Sequence, residues 1–199
     1  FDAILIHAAH GYLIHQFLYH LDNTRQDRYG GNFNRRLRFL KEVVHRCREV
    51  AGKEFPLMVR ISASEFIPGG ITLRDGQKIA QHLEKWGVKA IHVSGGTHDT
   101  QEMEIQPMAI PRGCLVPLAE GVKKVVRIPV ATVGRIVDPQ MAEEILQAGK
   151  ADLITLGRAL LADPEFPKKT QERRYEDIRP CIGCLQGCRD HLYQGQPIT

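Results

Sequence analysis

The stretch LMVRISASEFIPGGITLRDGQKIAQHLEKWGVKAIHVS (57–94) decides the fold. It opens on a short apolar run, LMVRIS (57–62), and closes on another, KAIHVS (89–94), each of strand length. Between them, LRDGQKIAQHLEKWG (73–87) places Ile79, Leu83 and Trp86 on one side of a helix that Gly87 ends. A strand, a helix and a second strand form the repeating unit of a parallel sheet with helices outside it.

The same alternation continues in both directions. Upstream, AILI (3–6) reads as a strand. NRRLRFLKEVVHRCREV (34–50) reads as a helix with Leu37, Leu40, Val44 and Cys47 on one stripe. Residues 95–114 read as a long loop, LVPLAEGVKKVV (115–126) as a helix and IPVATV (128–133) as a strand. DPQMAEEILQAG (138–149) has helix punctuation at both ends: Asp138 as N-cap, Pro139 in the first turn and Gly149 as C-cap. ADLITL (151–156) is a fifth strand, and GRALLADP (157–164) a short helix.

Nearly all-apolar strands fit a doubly wound sheet or a (β/α)8 barrel. No G-x-G-x-x-G turn follows any strand, which counts against a dinucleotide-binding doubly wound fold. Polar residues gather just past the strands instead: His7 and His10, Ser62, Ser94 to His98, Gly134-Arg135 and Gly157-Arg158. A barrel carries its active site at that end. Five strands cannot close eight, and the chain begins inside a strand. The expectation is therefore part of a (β/α)8 TIM barrel, about strands four to eight, over residues 1–164. A cysteine-rich tail follows over 165–199.

With 199 residues, 43% hydrophobic and 25% charged, the chain has an ordinary globular composition. Its net charge of +4 is spread along the sequence, so no nucleic-acid partner is expected. No apolar run reaches the roughly 18 residues of a membrane span. No basic, apolar leader precedes the first strand-like run. Five cysteines, three of them clustered, do not make a disulfide framework and fit a reducing, cytoplasmic setting.

Several groups carry chemistry. IHAAHGYL (6–13) sets His7, His10 and Tyr12 at a strand end. Imidazoles can donate to an oxygen that gains charge, and a tyrosine, with a free pKa of about 10, can act as a proton donor. Arg60 shares a strand face with Met58 and Ser62, where a guanidinium needs an anion or a strong acceptor. His98 lies in the long loop. Gly134-Arg135 and Gly157-Arg158 end the last two strands, where many barrels bind phosphate through backbone amides and a charged fork. Cys181, Cys184 and Cys188 in CIGCLQGC could bind zinc or an iron-sulfur cluster; three thiols from one compact turn suit a cubane cluster better.

IHAAHGYLIHQFLYHLDNTRQDRYGGNFNRRLRFL (6–40), with VRISA, VGRI, AEEILQAGKADLITLGRALLADP and the cysteine tail, resembles the Old Yellow Enzyme family of FMN-dependent oxidoreductases. The similarity is greatest to its iron-sulfur subgroup of 2,4-dienoyl-CoA reductase, 2-enoate reductase, bile-acid-modifying ene reductases and trimethylamine dehydrogenase. The resemblance implies that His7 and His10 bind a substrate carbonyl oxygen and that Tyr12 donates the proton. It implies that Arg60 meets the pyrimidine edge of the flavin. His98 would work beside Tyr12, with Asp99 available to orient it. Gly134, Arg135, Gly157 and Arg158 would hold the FMN phosphate.

Cys181, Cys184 and Cys188 would ligate a 4Fe-4S cluster, with a fourth cysteine just beyond Thr199. Electrons would pass from NAD(P)H through FAD in another domain of the intact chain to the cluster, then FMN, and on to an activated alkene. Amine dehydrogenation on the same scaffold is the alternative, as is an inactive barrel fragment. Both histidines are kept here, as in the small-enone reductases, whereas dienoyl-CoA reductases depart from that pair. Alone, residues 1–199 are expected to hold FMN weakly and to self-associate through open strand edges.

Overall fold

Alternation within the strands sets the architecture. In LMVRIS the odd positions Leu57, Val59 and Ile61 are fully buried, whereas Met58 and Arg60 are half-buried. The computed structural model describes residues 1–198. Its strands β1 (Ile4–Ala8), β2 (Leu57–Ser62), β3 (Ala90–Ser94), β4 (Val130–Thr132) and β5 (Leu153–Ile154) form one parallel sheet in sequential order. A doubly wound sheet reverses its strand order at a switch point; here every crossover steps the same way. The result is an α/β fold on a parallel sheet.

Helices α1 (Leu13–Leu18), α2 (Phe33–Arg36) and α3 (Arg38–Ala51) follow β1, and α4 (Leu73–Lys85) follows β2. After β3 come a 3-10 turn (His98–Thr100), α5 (Gln101–Glu104) and α6 (Val116–Lys123). After β4 comes α7 (Pro139–Gln147), and after β5 come α8 (Arg158–Ala162) and α9 (Phe166–Gln171). The tail holds a 3-10 turn (Tyr175–Asp177), a π-helical turn (Gln186–Asp190) and α10 (His191–Tyr193).

The expected helix punctuation is present. Asp138 accepts the amide of Gln140, and Gly87 and Gly149 take the left-handed conformation beyond α4 and α7. Two departures from the sequence reading lie near the strand ends. Helix α1 was not anticipated, because its buried positions are His15 and Leu18, and a buried histidine breaks the apolar stripe. The 95–114 loop contains α5, whose four residues, QEME, include no fully buried side chain to signal it.

Ile6, Ala8, Val59, Ile61, Ile91, Val93 and Val130 pack with Leu40 and Val44 of α3, Ile79 and Leu83 of α4, and Ala119 and Val122 of α6. Burying each such aliphatic side chain contributes about 1.5–3 kcal/mol. The register places His7 beside Arg60 and Arg60 beside His92, so these three share the opposite face. On that face Leu5 and Leu153 are 47% and 46% exposed. A separate small cluster of Val137, Ala159, Phe166 and Ile178, with Cys181 against it, anchors the start of the tail. No helix among the described residues is long and apolar enough to cross a membrane.

Candidate active site

Beyond β1 the chain turns sharply. His10 takes φ 64° and Gly11 φ 77°. The left-handed His10 is held by two serines at neighbouring strand ends: its amide donates to Ser62 Oγ at 3.1 Å, and its Nε2 lies 2.8 Å from Ser94 Oγ. Gly11 is required twice, by its φ and because a Cβ there would stand 2.9 Å from His98 Cδ2. Its amide donates to His15 Nδ1 at 3.0 Å, so His15 carries its proton on Nε2. That nitrogen lies 3.1 Å from Glu65 Oε1, and both residues are fully buried.

The turn delivers Tyr12 half-exposed at the surface. Its ring centroid is 5.3 Å from that of His7 and 5.0 Å from that of His98, perpendicular to the latter. The expected pairing of His7 with His10 toward a substrate is only partly realised. Their rings are 5.3 Å apart, but His10 is buried, with one ring nitrogen on Ser94 and the other facing Glu104.

Arg60 lies beneath this group. One of its terminal nitrogens donates to Ser94 Oγ at 3.2 Å, while its buried Nε has no hydrogen-bond partner. Burial and the nearby Arg60 charge lower the pKa of His10 to about 2 and that of His92 to about 3. The same two causes, in the same order, lower His7. These imidazoles are therefore neutral hydrogen-bonding groups.

Glu104, which the sequence did not single out, is the acid here. Its Oε1 lies 3.6 Å from His10 Nδ1 and its Oε2 3.6 Å from His98 Nδ1. Burial raises its carboxyl pKa, against the pull of His98, Arg60 and Arg189. The backbone amide of Asp99, the acid expected beside His98, donates to Thr97 Oγ1 at 3.2 Å.

One cavity of about 340 Å³ joins most of the expected residues. Tyr12, Arg60, His98 and Glu104 line it together with Gly134, Arg135, Gly157, Arg158, Cys181 and Cys188. His7, His10 and Cys184 do not. Open space lies where a Cβ on Gly157 would project. Arg135 donates through Nη1 to the carbonyls of Met108, at 2.8 Å, and Ile110, and its buried Nε has no partner. Arg158 donates to Gln106 O at 2.6 Å and Gln106 Oε1 at 3.3 Å. Both arginines thus also fasten the 106–110 segment.

The cysteine turn departs from expectation. Among the described residues, no group of three or more His, Cys, Asp or Glu is placed to hold a metal ion. Cys181 and Cys188 are partly buried, and Cys188 Sγ sits 3.7 Å from Leu185 O. Positive φ at Gly183 (75°) and Leu185 (67°) turns the chain on both sides of Cys184, which is exposed.

Residues 1–177 match the model of the NADH:flavin oxidoreductase / NADH oxidase family. The chain is 48% identical over 188 residues to an NADH oxidase of Thermoanaerobacter brockii, covering 94% of this chain and 29% of the relative. It is 38% identical over 207 residues to a cinnamate reductase of Clostridium sporogenes, covering 96% and 31%. It superposes on a 2-naphthoyl-CoA reductase, solved as a complex with 2-naphthoyl-CoA, with a TM-score of 0.95 at 30% identity. That match covers 100% of this chain and 30% of the reductase. The chain therefore spans about 30% of the length of these relatives. On the match over residues 1–177, the chain belongs to the NADH:flavin oxidoreductase / NADH oxidase family.

Proposed function

We propose that residues 1–164 are the arc of about strands four to eight of an FMN-dependent barrel that reduces an activated C=C bond. Sequential strand order, a core on the helix side and half-exposed Leu5 and Leu153 on the opposite face support an arc whose interior meets further strands. The observation that carries the catalytic reading is Tyr12, set between His7 and His98 on a cavity that Arg60 also lines.

The residues present fit FMN. Arg60 Nε and Arg135 Nε are buried donors without acceptors, and both side chains line the cavity. An acceptor-rich ring edge and a phosphate would satisfy such donors. Gly157 leaves room for an anion near Arg158, and Gly134 brings the backbone to the same wall. Bound there, FMN would supply hydride for the β-carbon of an enone, enoate or enoyl ester. Arg60 would orient the ring edge and balance charge on it. Neutral His7, which stands beside Tyr12 rather than on the cavity wall, would donate to a substrate carbonyl oxygen reaching past Tyr12, and Tyr12 would hold the proton destined for the α-carbon. His98 stands beside Tyr12 as its partner. His10 secures the turn rather than the substrate.

The tail (165–199) carries the thiols for a 4Fe-4S cluster. Cys181, Cys184 and Cys188 are of the right type, but Cys184 must turn inward and a further ligand must join them. FAD and NAD(P)H would belong to the additional length that the relatives have.

The test is anaerobic purification of the full-length protein, followed by flavin and iron analysis. A panel of enones, enoates, enoyl-CoA esters and amines is then assayed. Stoichiometric FMN with alkene reduction supports the reading. Absence of FMN, or turnover of amines alone, overturns it.

A further inference from the structure

Glu104 stands in the proposed site without a role in the reaction so far. Its side chain is 10% exposed, and its two oxygens face two different imidazoles at the same distance, 3.6 Å. The backbone is shaped to bring it there. Gly96 has φ 82°, and a Cβ on it would stand 2.7 Å from the amide nitrogen of Glu104, so only glycine lets α5 fold back onto the end of β3. From the tail, Arg189 donates to Gln101 Oε1 and pins the first residue of α5.

The contacts around Glu104 are compatible with one direction of donation. Arg60 can only donate, so Ser94 Oγ accepts from it. The Ser94 hydroxyl is then free to donate to His10 Nε2, 2.8 Å away. With Ser94 donating, the His10 proton stands on Nδ1, which faces Glu104 Oε1 at 3.6 Å. In that arrangement donation runs from Arg60 to Ser94 and from Ser94 to His10, whose Nδ1 faces the carboxylate. The second oxygen faces His98 Nδ1, while the Cδ2–Nε2 edge of His98 lies over Gly11.

We propose that Glu104 is the positioning acid of this site, holding His98 as its Nδ1–H tautomer so that Nε2 exchanges protons with Tyr12. The proposal rests on the reading of Tyr12 as proton donor. Each turnover transfers one proton from the Tyr12 hydroxyl to the substrate carbon. His98 Nε2 first takes a proton from solvent at the half-exposed mouth, and the imidazolium so formed passes that proton to the phenolate left on Tyr12. The carboxylate of Glu104 balances the imidazolium during that exchange, as a buried carboxylate does for a catalytic histidine elsewhere.

Glu104 balances a charged His98 only when ionised. The titratable and charged groups facing it are His10, His98, Arg60 and Arg189. Because burial raises its carboxyl pKa, acid should disable the site at a higher pH than a free carboxylate would require.

Three variants of the flavin-loaded, full-length protein test this: Glu104→Gln, Glu104→Asp and Tyr12→Phe. Glu104→Gln is expected to lower kcat for alkene reduction by about 10- to 100-fold with little change in KM, and to erase the acidic limb of the pH–rate profile. Long-range proton–nitrogen NMR of the imidazoles should show His98 leaving the Nδ1–H form in that variant. Glu104→Asp keeps a carboxylate and should retain the limb at reduced kcat; it carries the same readings if Glu104→Gln does not fold. Unchanged kcat, pH profile and His98 tautomer would overturn the proposal. Tyr12→Phe separates the two ideas. Wild-type turnover there removes the proton-donor reading, while the His98 tautomer in Glu104→Gln still decides whether Glu104 holds that ring.

Discussion

The cavity has two halves, and they are built differently. The strand-end half is over-determined. His7, Arg60 and His92 share one register row, and His10 is tied to Ser62 and Ser94 on two further strands. Ser62 in turn donates to Gly96 O at 2.9 Å. Beneath the turn lies the buried His15–Glu65 pair. Contacts of the tail half include Arg189 to Gln101, Arg189 stacked 5.0 Å from the Tyr193 ring, and the Ile178 cluster with Cys181. Leu192 and Tyr193 remain 64% and 69% exposed. Proton chemistry needs fixed geometry, which parallel strands supply without a ligand. A cysteine turn gains its geometry from what it binds.

Changes to the strand-end half should therefore cost most. Glu65→Ala removes the carboxylate beside a fully buried, neutral His15 and the acceptor of the Ile71 amide, and should lower stability by about 2–3 kcal/mol in urea unfolding. Gly11→Ala should cost about 100-fold in alkene reduction, because the new methyl meets His98 and displaces Tyr12, while bound flavin is retained. On the tail side, Arg189→Ala should change global stability by less than about 1 kcal/mol yet speed proteolysis within 181–198. If Arg189→Ala unfolds the protein as readily as Glu65→Ala, the contrast between the halves is lost.

The smallest effect concerns pH. Asp163 accepts from Lys169 Nζ at 2.7 Å and from the amides of Arg179, at 2.9 Å, and Glu165, at 3.1 Å, at the base of the tail. The Lys169 bond and then the Arg179 amide hold its carboxyl below the usual range. A depressed carboxylate stabilises the fold above the unfolded-state pKa, about 3.9, and loses that contribution as pH falls through the folded value. Hydrogen-exchange protection at 163–179, relative to the intrinsic rate at each pH, should fall below about pH 4 in the wild type and be low at every pH in Asp163→Asn.

Much of this was legible in the sequence because it depends on periodicity. LMVRIS and KAIHVS were found within a residue of their bounds, since alternate positions must be apolar where helices cover the sheet. Tyr12, Arg60, His98 and both Gly-Arg turns do reach one cavity. What was hidden depends on tertiary packing. His15 was not singled out in the sequence, yet it lies in an unanticipated helix and is buried against Glu65. Glu104 lies in a four-residue helix with no apolar stripe, so nothing local marks it above Asp99. The spacing of Cys181, Cys184 and Cys188 was plain, but the backbone turns at Gly183 and Leu185 leave Cys184 exposed.

The central claim is that Tyr12 supplies the proton for alkene reduction. Stopped-flow mixing of reduced, full-length enzyme with an α,β-unsaturated carbonyl compound tests it directly, in the wild type and in Tyr12→Phe. Flavin reoxidation by the alkene should slow by about 100-fold or more in the variant, while reduction by NAD(P)H proceeds at the wild-type rate. Equal reoxidation rates in the two proteins would contradict the account.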